Sequence, residues 1–561
     1  MTHTPEQPHS QQPQQPAPPP QGQYPQDGPY GRLNPYGGQG QAPDQRQQPF
    51  PGAPGAPGAP GAPGTPGDAP GVSAPGGAGR TRSRRTTALL AAVLAAVLVV
   101  GGGTWYALSG DGQDDTPAAA GAKSPSASGP AAGASPGPSG GTATEGLDPA
   151  TTARVNGSRV AGDATMLWMR KNTVDMPSRG GEMFGPWSHG DTVVTALYRS
   201  VTGYSAKDGR LKWTVPLGTE LCRASRQMSA DGKIAVLVRE TTSSDSNCRL
   251  LKVIDLADGK ESWQQKITKE GQFDVFADIS VVISGNTVTA GRTSYSTGYR
   301  LSDGTRLFGR GPGTCHPYSF GGGVKLIAAV SCEDSTVEMP HEQIQELDPA
   351  TGKARWTHEL ARGYKVEFIY SVQPLIVAIH APKTDQRDTI VLNDNGTKRS
   401  ALEGKGPFNR ACDDNVSATN DLQACRVVAD ATTFYIASLE SDPKKTNTIV
   451  AFDLASGREV RRITAPTQGI MTPMRMEGPD LLVRVFAALD GDRGSLAVVA
   501  PGATTPRVLL RLPTAAAGVE SHLDFPDALY QDGRYTVVTS TVFAANDEEE
   551  RKRETMMVFG K

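Results

Sequence analysis

The sequence predicts an all-β protein: an eight-bladed β-propeller closed by an N-terminal strand, preceded by a disordered tail and one transmembrane helix. Three observations carry that prediction. A phrase of strand, tight turn and aromatic residue recurs as "YSAKDGRLKW" (204–213), "IDLADGKESW" (254–263), "YRLSDGTRLF" (299–308), "LDPATGKARW" (347–356) and "FDLASGREVR" (452–461). Eight apolar, β-branched runs are interleaved with these phrases, the first opening at 191 and the eighth at 535, so seven intervals average about 49 residues. A long uncharged stretch follows a tail almost free of aliphatic side chains.

Residues 1–79 are rich in Pro, Gln and Gly. They cannot bury enough apolar surface to offset chain entropy and are expected to be disordered. The triplets of "GAPGAPGAPGAPGTPGDA" (52–69) end too soon for a collagen helix and fit an extended spacer. Residues 80–108 form the basic flank and the span. Thr86 to Leu108 is 23 residues without a charge, roughly 34 Å as a helix and enough for a hydrocarbon core of about 30 Å. Arg80, Arg82, Arg84 and Arg85 precede it, and Trp105 and Tyr106 lie at its far end. By the positive-inside rule the tail is cytoplasmic and the bulk of the chain extracytoplasmic, on a single-pass signal anchor in the cytoplasmic membrane. A tail of some 80 residues before the charges is far longer than a signal peptide's n-region. Residues 109–150, rich in Ala, Gly, Ser and Pro, read as a flexible linker.

Residues 151–561 are the folded part. Its eight runs, among them "DTVVTALYR" (191–199), "KIAVLVRE" (233–240) and "PLIVAIHA" (374–381), alternate and are rich in Val, Ile and Thr, as strands are. A period near 40–50 with several strands per unit is a propeller signature. The recurrent phrase then falls on the hairpin between the third and fourth strands of each blade. Gly209, Gly259, Gly304, Gly352 and Gly457 serve the turn, while Asp255, Asp348, Thr351 and Asp453 hydrogen-bond within it. Trp213, Trp263 and Trp356 on the fourth strand wedge against the next blade. The eighth unit stops one strand short, at "ETMMVFGK", and "ATMLWMRKN" (164–172) with Trp168 is the spare strand that completes it.

All six cysteines lie in this part, which implies disulfides formed in an oxidising compartment. The blade assignment pairs Cys222 with Cys248, Cys315 with Cys332, and Cys412 with Cys425. Net charge is only −2, so no nucleic-acid partner is implied. The eight histidines have no metal-ligand spacing, and His316 beside Cys315 is weaker as a catalytic dyad than as a neighbour of a half-cystine. No catalytic, cofactor-binding or metal residue emerges. In a propeller the first–second and third–fourth turns share one face, and the other connections share the opposite one. The longer, charged segments "TTSSDSNC" (241–248), "CEDSTVEMPHEQ" (332–343), "APKTDQRD" (381–388), "ESDPKKTN" (440–447) and "AANDEEERKRE" (544–554) all fall on the second face with the cysteines. That face is the expected binding site.

The phrase D-x-x-T-G-x-x-x-W, complete at Asp348, Thr351, Gly352 and Trp356, resembles the repeat of PQQ-like, quinoprotein-type propellers. Asp255, Gly259 and Trp263 match it with Asp258 in place of Thr. Gly209 and Trp213 match it with Ser205 in place of Asp, and Phe308 and Arg461 stand where later copies would carry Trp. The resemblance spans about 400 residues. It implies either a quinone-dependent oxidoreductase or a membrane-associated scaffold without enzymatic activity. The dehydrogenases carry adjacent cysteines over the cofactor and a Ca²⁺ held by Glu, Asn and Asp. This chain has no adjacent cysteines and no alignable calcium set, so the reading is a binding or scaffold module for an envelope protein or ligand, without a cofactor.

Overall fold

In a computed structural model, the structure describes residues 142–561 apart from 334–338, 405–407, 410–411, 413–420, 440–445, 466–468 and 488–492. The tail 1–79, the segment 80–108 and the linker up to 141 lie outside the described residues. Among the described residues no helix is long and apolar enough to cross a membrane.

Eight antiparallel sheets follow one another along the chain: 181–216, 221–266, 280–308, 315–359, 365–401, 408–464, 471–511, and 527–560 joined by 165–171. We number them blades 1 to 8, and letter the strands of each a to d from the axis outward. The eighth blade shows how the ring closes. Its strand d is Thr165–Lys171, which pairs with Glu554–Gly560 in the register Trp168 to Val558, Met169 to Met557 and Arg170 to Met556. A second closure joins Thr541–Val542 to Gly181 and Glu182 at the start of blade 1. First and last segments are thereby hydrogen-bonded twice, and no sheet edge is left open at the junction.

Ahead of that strand the chain is ordered further back than its composition suggests. Residues 142–150, expected within the linker, pack on the ring: the Leu211 amide donates to Ala143 O at 2.9 Å, and helix Pro149–Gly157 starts on an Asp148 cap that accepts from Thr151 N at 2.9 Å. Pro149 needs no amide partner at that position. Asn156 exchanges two 2.9 Å hydrogen bonds with the Met166 backbone, and Asp163 receives Arg493 and Arg511 of blade 7 at 2.8 Å. The N-terminal segment therefore clamps two blades.

Each seam between neighbouring blades holds its own apolar cluster. Trp168, Val538, Met556 and Val558 of blade 8 meet Met183, Val193 and Leu197 of blade 1, and Leu237, Leu251 and Val253 of blade 2 meet Val281, Val288 and Tyr299 of blade 3. Burial falls outward across each blade. Strand b of blade 3, Thr287–Arg292, is buried at all six positions, whereas strand d of blade 2, Lys260–Lys266, is exposed at every position except Trp263. Inner strands touch neighbours on both faces and so read as continuous apolar runs.

Blade 6 departs from the pattern. Its strand a is split: Phe408–Asn409 and Val428–Ala429 both pair with strand b, Thr433–Ser438. Cys412 and Cys425 were expected in the connection before strand a and at its start. They sit instead on the excursion between its two halves.

Candidate functional site

The recurrent phrase is a docking device. Gly259 closes the c–d hairpin of blade 2 at φ +65°, a conformation that costs a side-chain-bearing residue free energy. A Cβ there would also fall 2.2 Å from the ring of Trp213, on strand d of blade 1. The same relation joins Trp168 to Gly209, Trp263 to Gly304, Phe308 to Gly352 and Trp356 to Gly396, each ring reaching forward one blade. Trp168 Nε1 donates to Ala206 O at 3.2 Å and Trp263 Nε1 to Leu301 O at 2.6 Å. Asp348 Oδ1 accepts from the Ala350 and Thr351 amides, and Asp255 and Asp453 hold their own turns in the same way. The series stops at blade 6: a Cβ on Gly457 would meet the Ala401 carbonyl, not a ring, and one on Gly502 would meet nothing. These residues are packed into the seams between blades, and of the tryptophans named here Trp213 keeps its Nε1 buried without a hydrogen-bond partner.

The opposite face differs. The structure joins Cys222 to Cys248, Cys315 to Cys332 and Cys412 to Cys425. Cys222 lies on strand a of blade 2, and Cys248 begins strand c instead of lying in the b–c loop. Cys315 and Cys332 face each other across strands a and b of blade 4. His316, next to that bridge, is buried; burial and the neighbouring Arg310 guanidinium lower its pKa, and Cys315 has no free thiol to pair with it. Charges on this face are mostly matched: Glu270 accepts from Arg306 and from the Arg310 amide, Arg310 meets Glu333, and Asp274 and Arg292 form a fully buried pair. In 544–554 a short helix, Asp547–Glu550, brings Glu550 inward to accept from Met176 N at 3.0 Å. The expected loop at 381–388 shortens to 382–385, because strands b and c of blade 5 extend through Ala381 and from Gln386.

Exposed apolar side chains gather on this face. All three exposed phenylalanines among the described residues belong to it: Phe273 (79% exposed) in the connection from blade 2 to 3, Phe525 (66%) from blade 7 to 8, and Phe543 (53%) in the b–c loop of blade 8. Val275, Met339 and Leu439 join them from the same two kinds of connection. An exposed phenylalanine holds a large apolar area against water. The sequence expected binding on this face without singling out these residues.

Glu342, which begins strand c of blade 4 on this face, carries its most displaced acid. Burial pushes its carboxyl up to about 7, although Val366 N (2.8 Å) and Tyr318 OH (3.0 Å) both donate to Oε2. It thereby ties strands a of blades 4 and 5 together.

The axis is the other place where a propeller can hold a ligand, and it is crossed by protein. From the excursion in blade 6, Asp421 Oδ2 receives Arg226 Nε at 2.7 Å, and Gln423 Oε1 accepts from Gln227 Nε2 at 2.6 Å and from Gly322 N at 2.7 Å. Arg226 and Gln227 belong to blade 2, diametrically opposite. These contacts join the excursion to the a–b turns of blades 2 and 4 at the axis.

A family model described as outer membrane protein assembly factor BamB matches residues 151–310, the N-terminal segment and blades 1 to 3. Over that stretch the repeats are similar to those of the matched family. Among solved structures, BamB from Moraxella catarrhalis overlays with TM-score 0.39 at 12% identity, covering 71% of this chain and 100% of that one. A quinohemoprotein alcohol dehydrogenase from Comamonas testosteroni overlays with TM-score 0.42 at 14% identity, covering 71% and 76%. A europium-containing methanol dehydrogenase gives 0.39 at 11% identity, covering 72% and 94%. No curated protein sequence matches the chain.

Proposed function

We propose that this PQQ-like propeller is a binding or scaffold module of the cell envelope, anchored in the cytoplasmic membrane through Thr86–Leu108 with its tail inside and its ring outside. The exposed Phe273, Phe525 and Phe543, all on the loop face, carry the reading. Three disulfides support an extracytoplasmic location. The described residues begin at the other face, where Leu147 lies against the c–d turn at Gly209.

The test is photo-crosslinking in intact cells from probes placed at Phe273 and Phe525, compared with probes at Val460 and Val508 on outer strands. Crosslinks to one envelope protein from the loop positions alone are expected. Equal capture from both sets would overturn docking on the loop face, and dye-linked alcohol oxidation by the purified chain with pyrroloquinoline quinone and Ca²⁺ would overturn the proposal in favour of an oxidoreductase.

A further inference from the structure

The excursion between the two halves of strand a in blade 6 has described residues placed across the ring. Asp421–Arg426 belongs to blade 6, yet its partners lie in four other blades. Arg226 and Gln227 come from blade 2. Gly322, from the a–b turn of blade 4, gives its amide to Gln423 Oε1 and receives Gln423 Nε2 on its carbonyl at 3.2 Å. Ile369 of blade 5 donates its amide to Leu422 O at 2.8 Å. Arg426 reaches blade 8, at Asp527 Oδ1 (2.9 Å) and the Phe525 carbonyl (3.1 Å). Gln227 in turn accepts from the Ile283 amide of blade 3 at 3.4 Å.

These contacts are built, not incidental. Leu422 is buried in the core cluster between blades 4 and 5, and Ala424 is also buried. Gly322 has no room for a side chain: a Cβ there would lie 2.6 Å from the Ile283 carbonyl and 3.2 Å from Gln227 Oε1. The Cys412–Cys425 bridge fixes the segment where it rejoins strand a. Blades 2 and 6 are opposite in a ring of eight, so a direct hydrogen bond between them must pass through the axis. Adjacent-blade seams cannot supply this constraint.

We infer that Asp421–Arg426 is a built-in axial ligand: a strut that links blades 2, 4, 5 and 8 across the centre and occupies the position a small axial ligand would take. Gln423 is its hub, since one side chain serves both blade 2 and the backbone of blade 4. The strut is independent of what docks on the loop face, so it can fail without affecting the proposed function, and the reverse also holds.

Hydrogen–deuterium exchange on the full chain, purified in detergent, tests it. In Gln423→Ala the Gly322 amide loses its acceptor, and its exchange is expected to rise at least about tenfold while amides of strands b and c in blades 1 to 3 keep their protection. Gln227→Ala cuts the same link from the opposite blade and should release Ile283 and loosen Gly322. It is the second arm in case Gln423→Ala loosens the whole ring. Unchanged exchange at Gly322 in both variants overturns the strut.

Discussion

On the turn face, Gly209, Gly259, Gly304, Gly352 and Gly396 lie under aromatic rings that reach over from the preceding blade. On the loop face, Phe273, Phe525 and Phe543 present their rings to solvent. The same residue class is used in opposite ways. A ring seated on a glycine contributes burial and fixes the angle between blades, so its loss is felt as stability. A ring held out in water contributes nothing to the fold, so its loss is felt only by whatever binds it. The two faces are thus separable by experiment, and the variants below do so in decreasing order of effect.

The largest effect removes what both faces depend on. Deleting residues 164–172 takes away strand d of blade 8 and leaves Glu554–Gly560 as an open edge. Loss of cooperative unfolding, with aggregation, is expected, because that strand also carries Trp168 and the Met166 backbone that holds Asn156. A soluble variant with an unchanged melting transition would show that the ring does not need its N-terminal closure.

Next come two glycines of the turn face, both at positive φ. Gly259→Ala combines backbone strain with a clash on Trp213 and is expected to cost about 4 kcal/mol. Gly502→Ala meets the same backbone demand in open space, φ +81° with nothing nearby, and should cost about 1 kcal/mol. Urea midpoints measure the difference. Equal costs would mean that the ring above the glycine adds nothing to the turn.

Much of this contrast can be read from the sequence. Strand runs and Gly-bearing turns are local signals with periods of their own, and the missing eighth strand d follows from counting them. The axis crossing is not local. Its contacts join residues about 195 positions apart, and no propensity records them. One trace exists: successive c–d glycines at 209, 259, 304, 352, 396, 457 and 502 are separated by 50, 45, 48, 44, 61 and 45 residues, and the long interval holds the excursion. The exposed aromatics left no trace. In "GQFDVFAD" Phe273 is exposed and Phe276 is 5% exposed, and only the packed ring distinguishes them.

Glu342 lends the loop face a pH dependence opposite in sign to that of the turn face, where the Thr305 amide lowers the Asp303 carboxyl to about 2. Its carboxyl titrates near 7 when folded against about 4.5 when unfolded, so the folded chain binds the extra proton between those values. The associated stability is full below pH 4.5 and is lost as pH rises through 7, roughly 3 kcal/mol in all. Glu342→Gln keeps an acceptor for Val366 N but cannot ionise. Its urea midpoint should therefore fall less than the wild type's between pH 4.5 and 7.5. Parallel curves would assign the pH dependence to other groups.

The smallest expected change in stability is at Phe273. With 79% of the residue exposed, little apolar area leaves water on folding. Its neighbour Phe276 anchors the same connection, packed in the seam of blades 2 and 3 with the Arg249 and Arg292 guanidinium groups over its ring at 4.8 and 4.9 Å. Phe273→Ser should shift stability by no more than about 0.5 kcal/mol, while Phe276→Ala costs about 3 kcal/mol or more. If the partner docks on the loop face, the cheaper of the two changes is the one that abolishes capture, and Phe276→Ala retains capture in whatever fraction stays folded. A Phe273→Ser chain that is as stable and binds as well would remove the loop face from the proposed function and leave its exposed rings without a role.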